Sequence, residues 1–234
     1  MPMRARIFYI IVLFLPFFLF YEQGASAASF NAGGVRITKD VQPLSVIKRK
    51  NVVGQSLDFS CGAAGLSTLL HYYLDDPVTE QEIIERLLSI VPIEKVRERK
   101  GFSLFDLKKF SEERGYDVTG YQMDFAFLKK LDVPVLVPIR FRNYSHFVVV
   151  RGVVGDRVFL ADPAAGNVSM KSDQFERIWV NGIGLVLRDN FVPDGKDDYA
   201  LRVEEDDLLI MNYAQLQKLM SQAMVRTAVF PSEF

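Results

Sequence analysis

The chain has one cysteine, Cys61, and only two histidines, His71 and His146, among its 234 residues. A lone thiol excludes an internal disulfide. One thiol with two imidazoles is also a poor set for a closed metal cage, so neither metal nor other cofactor is expected. Excess charge of one sign is missing as well: 28 basic against 29 acidic residues leave a formal net charge of −1. With no basic stripe interleaved with aromatics, nucleic acid is not an expected partner. The sequence has no zinc-protease helix motif, phosphate loop, cysteine pair or internal repeat.

A membrane-spanning run is lacking too. The apolar stretch Ile7 to Phe20 covers 14 residues, short of the roughly 18 expected of a transmembrane helix. Arg4 and Arg6 precede it, and the small-x-small triplet Ala25-Ser26-Ala27 follows. This is the order of a secretory signal peptide. Residues 1–27 are therefore expected to be a signal peptide, with the mature protein in the periplasm. Membrane association is expected only if that segment stays uncleaved. An exported chain usually pairs its thiols, so an unpaired Cys61 reads as a reactive group. Its bland rival is a small buried hydrophobe that happens to be sulfur.

The front half of the mature chain is helical in pattern. Ser29–Thr38 is small, polar and expected to be mobile, while Asp40–Ile47 and Asn51–Val53 carry strand-like patches. From Cys61 to Tyr73, Ala64, Leu66, Leu69, Leu70 and Tyr73 recur at helical spacing and predict a mostly buried helix. Thr79 with Glu82 forms a capping box for a second helix, whose inner face is Ile83, Ile84, Leu87 and Leu88. Ser103 with Asp106 opens a third, ending near Gly115.

The back half changes period. Val118–Tyr121, Val135–Phe141, His146–Val153, Arg157–Ala161, Val168–Met170 and Ile183–Leu187 predict strands, and Gly155-Asp156 makes a tight turn between two of them. Short helices are expected at Asp124–Leu131 and Ser172–Val180. Helices followed by an antiparallel sheet make an α+β domain over 28–188. Residues 189–234 form a C-terminal extension with a polar loop Pro193–Asp198, an acidic run Glu204–Asp207 and an amphipathic helix Tyr213–Arg226.

Cys61 sits at the mouth of the first of these helices, where backbone N–H groups and the helix dipole favour a thiolate. A nucleophile needs a base. His71 lies ten residues along the same helix, about 15 Å away along the axis, so His146 is the base available. Asp162 closes the strand that returns antiparallel to that of His146, which brings it to the level of the imidazole as its orienting group. Gln55, six residues before the thiol, offers a side-chain amide that could join the Cys61 N–H in holding an oxyanion.

These residues carry a resemblance. Gln-x5-Cys-Gly-x-Ala, a His-Phe-Val-Val strand, a hairpin, and Asp-Pro-Ala-x-Gly beginning sixteen residues after the histidine resemble the bacteriocin-processing cysteine peptidases, cysteine-peptidase family 39. The likeness runs from about Val46 to Leu187. It implies a papain-like fold, with the helical N-terminal half packed against the antiparallel sheet. It also implies Cys61 as nucleophile, His146 as general base and then acid, Asp162 as orienter and Gln55 in the oxyanion hole. Gly62 beside the nucleophile and Ser145 beside the base are assigned to substrate binding. Where the family usually has Asp directly before its cysteine, this chain has Ser60.

Family members best known as transporter domains cut leader peptides after Gly-Gly or Gly-Ala. This chain is more similar to solitary exported members, some of which accompany functional-amyloid (Fap-type) secretion systems. The expected function is therefore an exported cysteine endopeptidase. Its expected partner is an extended polypeptide, such as an amyloid subunit or an outer-membrane secretion component. The alternative is a papain-like binding module or chaperone that keeps the cleft without the catalysis.

Overall fold

The computed structural model describes residues 26–32, 35–41, 44–141, 144–189, 199–204 and 207. Four expected features lie outside them: most of the signal segment, the loop Pro193–Asp198, part of the acidic run and the helix Tyr213–Arg226. Among the described residues no helix is long and apolar enough to cross a membrane.

The chain divides into two units, residues 1–43 and 44–234. The first contains an antiparallel hairpin, β1 (Ser26–Ala32) with β2 (Val35–Val41), in which Ser29 faces Thr38 and Phe30 faces Ile37. The expected mobile stretch is thus paired strand. Its β-branched Val35, Ile37 and Thr38 suit an extended backbone better than their polar neighbours suggest.

The second unit opens with α1 (Leu44–Arg49), a helix in place of the strand expected to run on to Ile47. Lys48 and Arg49 in its last turn complement the helix dipole. Arg49 also donates to the carbonyls of Pro163 and Ala164 at 3.2 and 3.1 Å. Asn51–Val53 is a turn residue followed by irregular chain rather than a strand. Asn51 is left-handed, at φ 57°, and the Val53 N–H donates to Thr68 Oγ1 at 3.0 Å instead of to a strand neighbour.

Three predicted helices follow their signals. α2 (Cys61–Tyr72) buries its first ten residues. α3 (Glu80–Ile90) and α5 (Leu104–Glu113) start at complete capping boxes, Thr79 with Glu82 and Ser103 with Asp106. Between these two lies α4 (Ile93–Arg99), which the sequence pattern missed. Pro92 at its N-cap offers no side-chain acceptor, and Val96 is the one buried residue of the helix, so neither capping nor periodicity betrays it.

The sheet is antiparallel throughout, in the order β3-β8-β4-β5-β6-β7. These strands are β3 (Asp117–Gln122), β4 (Val135–Phe141), β5 (Tyr144–Val154), β6 (Arg157–Asp162), β7 (Gly166–Lys171) and β8 (Ile183–Arg188). Short helices α6 (Phe125–Leu128) and α7 (Ser172–Ile178) interrupt them. Period-two alternation gives the sheet two buried faces. Leu136, Val149, Ala161, Leu185 and Leu187 pack with the long helices. Val137, Val148, Val150 and Leu160 pack with Phe175 and Trp179. A fully buried leucine such as Leu66 or Leu107 contributes roughly 2 kcal/mol.

Two features of this frame matter for the site. The β5–β6 ladder slips by one residue between Val150 and Gly152, leaving Arg151 as a β-bulge. And residues 199–204 lie against the body: Leu201 is fully buried in the helical core, and the Ala200 N–H donates to the Tyr72 carbonyl at 3.1 Å.

Candidate active site

The structure brings Asp162 to His146. Nε2 of the imidazole lies 2.8 Å from Oδ1 of the carboxylate, and His146 is 7% exposed. The carboxylate is itself fixed, because Oδ1 also accepts from the N–H groups of Ala164 and Ala165 at 2.8 and 3.2 Å. With Nε2 donating to Asp162, Nδ1 is the nitrogen left for proton exchange.

Cys61 acts on that ring. Burial opposes a charge on His146, but hydrogen bonding to Asp162 and to Cys61, with the charges of both, carries its pKa up to about 9. Nδ1 nonetheless has no closed hydrogen bond among the described residues. Cys61 thus acts on the ring without a closed hydrogen bond to Nδ1. For Asp162, burial pushes the carboxyl up. The bond from His146, the imidazolium charge and the two N–H donors outweigh this and hold it below the usual carboxylate range. At neutral pH the His146 ring is held in its charged form beside the Asp162 carboxylate.

Local sequence explains the position of Cys61. The Ser60 hydroxyl does not cap α2. It donates to the Leu57 carbonyl at 2.8 Å and accepts from the Leu57 N–H at 3.0 Å, closing the turn before the helix. The first N–H groups of α2, that of Cys61 included, are thus left without a side-chain acceptor. His71 is exposed and stacks on Tyr72 at 4.3 Å, as its distance along α2 requires.

Gln55 is tethered beside this turn. Its backbone N–H donates to the Pro163 carbonyl at 3.0 Å, joining its loop to the residue after Asp162. Its Nε2 donates to the Leu57 carbonyl at 2.9 Å, while its Oε1 is buried without a partner among the described residues. Its link to the dyad runs through Tyr144, which the sequence reading passed over. The Tyr144 hydroxyl donates to the Asp58 carbonyl at 3.0 Å, and its ring lies 5.8 Å from that of His146. Burial and the Cys61 charge push this phenol up, against a hydrogen bond from Gln55. The signal was present: Tyr144 stands two residues before His146 on a strand, hence on the same face.

The two residues assigned to substrate binding differ in placement. Ser145 is exposed and pairs with Arg140 across the β4–β5 ladder. Gly62 is buried, and a Cβ there would lie 3.1 Å from Leu107 and 3.2 Å from Phe147. Its missing side chain lets the start of α2 approach both α5 and β5.

Comparison with known proteins gives this arrangement its class. The helices and the antiparallel sheet form a papain-like fold, which the peptidase domain of Streptococcus ComA shares. That bi-functional ABC transporter's domain superposes with a TM-score of 0.50 at 18% identity, covering 59% of this chain and 98% of that one. The Peptidase C39 family matches residues 49–191, and the chain belongs to it. It is 37% identical over 151 residues to the probable functional amyloid protease FapD of Pseudomonas aeruginosa, covering 64% of this chain and 66% of the relative. With FapD of Pseudomonas fluorescens the figures are 38% over 162 residues, 68% and 70%. The likeness therefore spans about two thirds of either relative.

Proposed function

We propose that this protein is an exported endopeptidase of the periplasm that cuts a secreted polypeptide with Cys61, His146, Asp162 and Gln55. The observation that carries this reading is the buried imidazole held through Nε2 on a fixed carboxylate, with the one cysteine of the chain acting on the same ring. Thiolate Cys61 attacks the scissile carbonyl, forming an S–C bond and moving the carbonyl electron pair onto oxygen. The Cys61 N–H and the Gln55 amide receive that oxyanion. Collapse breaks the C–N bond, and His146 gives its proton to the leaving amine. Water then attacks the thioester, returns a proton to His146 and releases the acid with the thiolate restored. Asp162 holds the ring and supports its positive charge throughout.

The likeness to the probable functional amyloid proteases FapD supports an amyloid subunit, or a component of its secretion, as the substrate class. The n-, h- and c-region order of residues 1–27 supports export. Terminal-peptide mass spectrometry of exported proteins from cells carrying the native chain or Cys61→Ser tests the reading. Termini present with the native chain and absent with Cys61→Ser are expected. Identical termini, with secretion unimpaired by Cys61→Ser, would make the protein a binding module instead.

A further inference from the structure

Arg151 is a charged residue in the middle of a core strand, 7% exposed, and all five of its N–H groups are used. Nε donates to the Leu201 carbonyl at 2.9 Å. Nη1 donates to Asn167 Oδ1 at 3.0 Å and Asp207 Oδ1 at 2.8 Å, and Nη2 to the Arg202 carbonyl at 2.8 Å and Asp207 Oδ2 at 2.9 Å. Three of these four acceptor residues lie beyond residue 191, where the family match ends. Arg151 is also the bulged residue of β5. At such a bulge two neighbouring side chains face one way. Gly152 follows suit: a Cβ there would lie 3.2 Å from Val203 Cγ2, so the absent side chain makes room for the same segment.

The bulge decides whether the two residues of the dyad share one side of the sheet. Next to the turn, Val154 faces Arg157 and Gly152 faces Phe159; past Arg151, Val150 faces Leu160 and Val149 faces Ala161. Counting from Val149 and Ala161, His146 is three residues back and Asp162 one residue on, so both stand on the same face. Had the ladder continued unslipped, Asp162 would face Val149, and His146 would stand on the opposite face. One extra residue in β5 therefore separates a hydrogen-bonded dyad from a divided one.

We propose that Arg151 is a positioning residue: clasped by Tyr199–Glu204 and Asp207, it holds the bulge that turns His146 and Asp162 to each other. The inference rests on the reading of that pair as base and orienter. A buried guanidinium stripped of its carboxylate is strongly disfavoured, so losing Asp207 drives the bulge to rearrange. Asn167 extends the clasp, since its Nδ2 donates to the Lys50 carbonyl at 2.7 Å on the loop leading to Gln55.

The test needs no substrate. With two histidines in the chain, each imidazole is followed separately by NMR titration, and exposed His71 serves as the internal reference. In the native chain His146 is expected to titrate near 9. In Asp207→Ala it is expected to fall by about one unit or more as the Asp162 bond is lost, with His71 unmoved. Asp207→Asn, which keeps an acceptor for Arg151, gives a smaller shift of the same sign and stands in if the alanine variant does not fold. A folded Asp207 variant whose His146 titrates as in the native chain overturns the proposal. Failure of the peptidase reading looks different: the native titration and its shift persist, but no cleavage depends on Cys61.

Discussion

The 2.8 Å contact between His146 Nε2 and Asp162 Oδ1 joins residues sixteen apart in sequence, and the carboxylate is oriented independently of the histidine. Ala164 and Ala165 supply that orientation through their N–H groups. The Asp-Pro-Ala-Ala turn thus builds a fixed acceptor at the end of β6, and the imidazole docks against it. This fixes the ring through Nε2 and leaves Nδ1 as its other nitrogen, with Cys61 acting on the same ring.

Asp162→Asn tests that contact. The amide keeps the shape and an acceptor oxygen but removes the negative charge that raises His146. The imidazole pKa is expected to fall from about 9, and the alkaline limb of the kcat/KM profile to move to lower pH. A loss of kcat/KM of about tenfold or more is expected at neutral pH. An unmoved alkaline limb would mean that Asp162 does not govern the base.

Stability should follow the same titrations. His146 is raised from 6.5 to about 9, so its contribution is complete below 6.5 and lost as pH rises through 9. The amount is on the order of 3 kcal/mol. Asp162 is lowered, so its contribution is present above 3.8 and lost as pH falls below that value. Urea midpoints measured from pH 3 to pH 10 are expected to fall at both ends, and His146→Ala to flatten the alkaline fall.

Gln55→Ala separates the oxyanion from the nucleophile. Acyl transfer from a peptide substrate is expected to lose about a hundredfold in kcat, the scale of one oxyanion donor. Alkylation of Cys61 by iodoacetamide passes through no oxyanion and should stay within about twofold of native. Equal losses in both reactions would show that Gln55 supports the thiol instead.

Tyr144→Phe removes the hydroxyl that donates to the Asp58 carbonyl. The expected cost is about 1 kcal/mol of stability, read as a lower urea midpoint. Hydrogen exchange in the Leu57–Phe59 turn should quicken. Unchanged exchange there would place the tyrosine outside the support of the nucleophile loop.

Much of this was legible in the sequence, for identifiable reasons. Helices α3 and α5 announce themselves through capping boxes, and β4 to β6 through apolar runs bounded by turn residues. Chain reversal at Gly155-Asp156 places Asp162 at the level of His146. It does not place it on the right face, because a β-bulge is decided by what receives Arg151, and three of its four receivers lie some fifty residues downstream. The same limit hid α1, whose Val46 and Ile47 favour strand while Arg49 finds its acceptors at Pro163 and Ala164. Ser60, in the place of the family's usual aspartate, forms the turn with Leu57, an interaction no spacing rule anticipates.

The pairing of one thiol with one imidazole is tested most directly by the pH dependence of Cys61 alkylation, in the native chain and in His146→Ala. With a single cysteine the label reports one site. At pH 6 the native thiol is expected to react at least about tenfold faster than free cysteine, and His146→Ala to lose that advantage. Equal rates at pH 6 for native protein, His146→Ala and free cysteine would contradict the account.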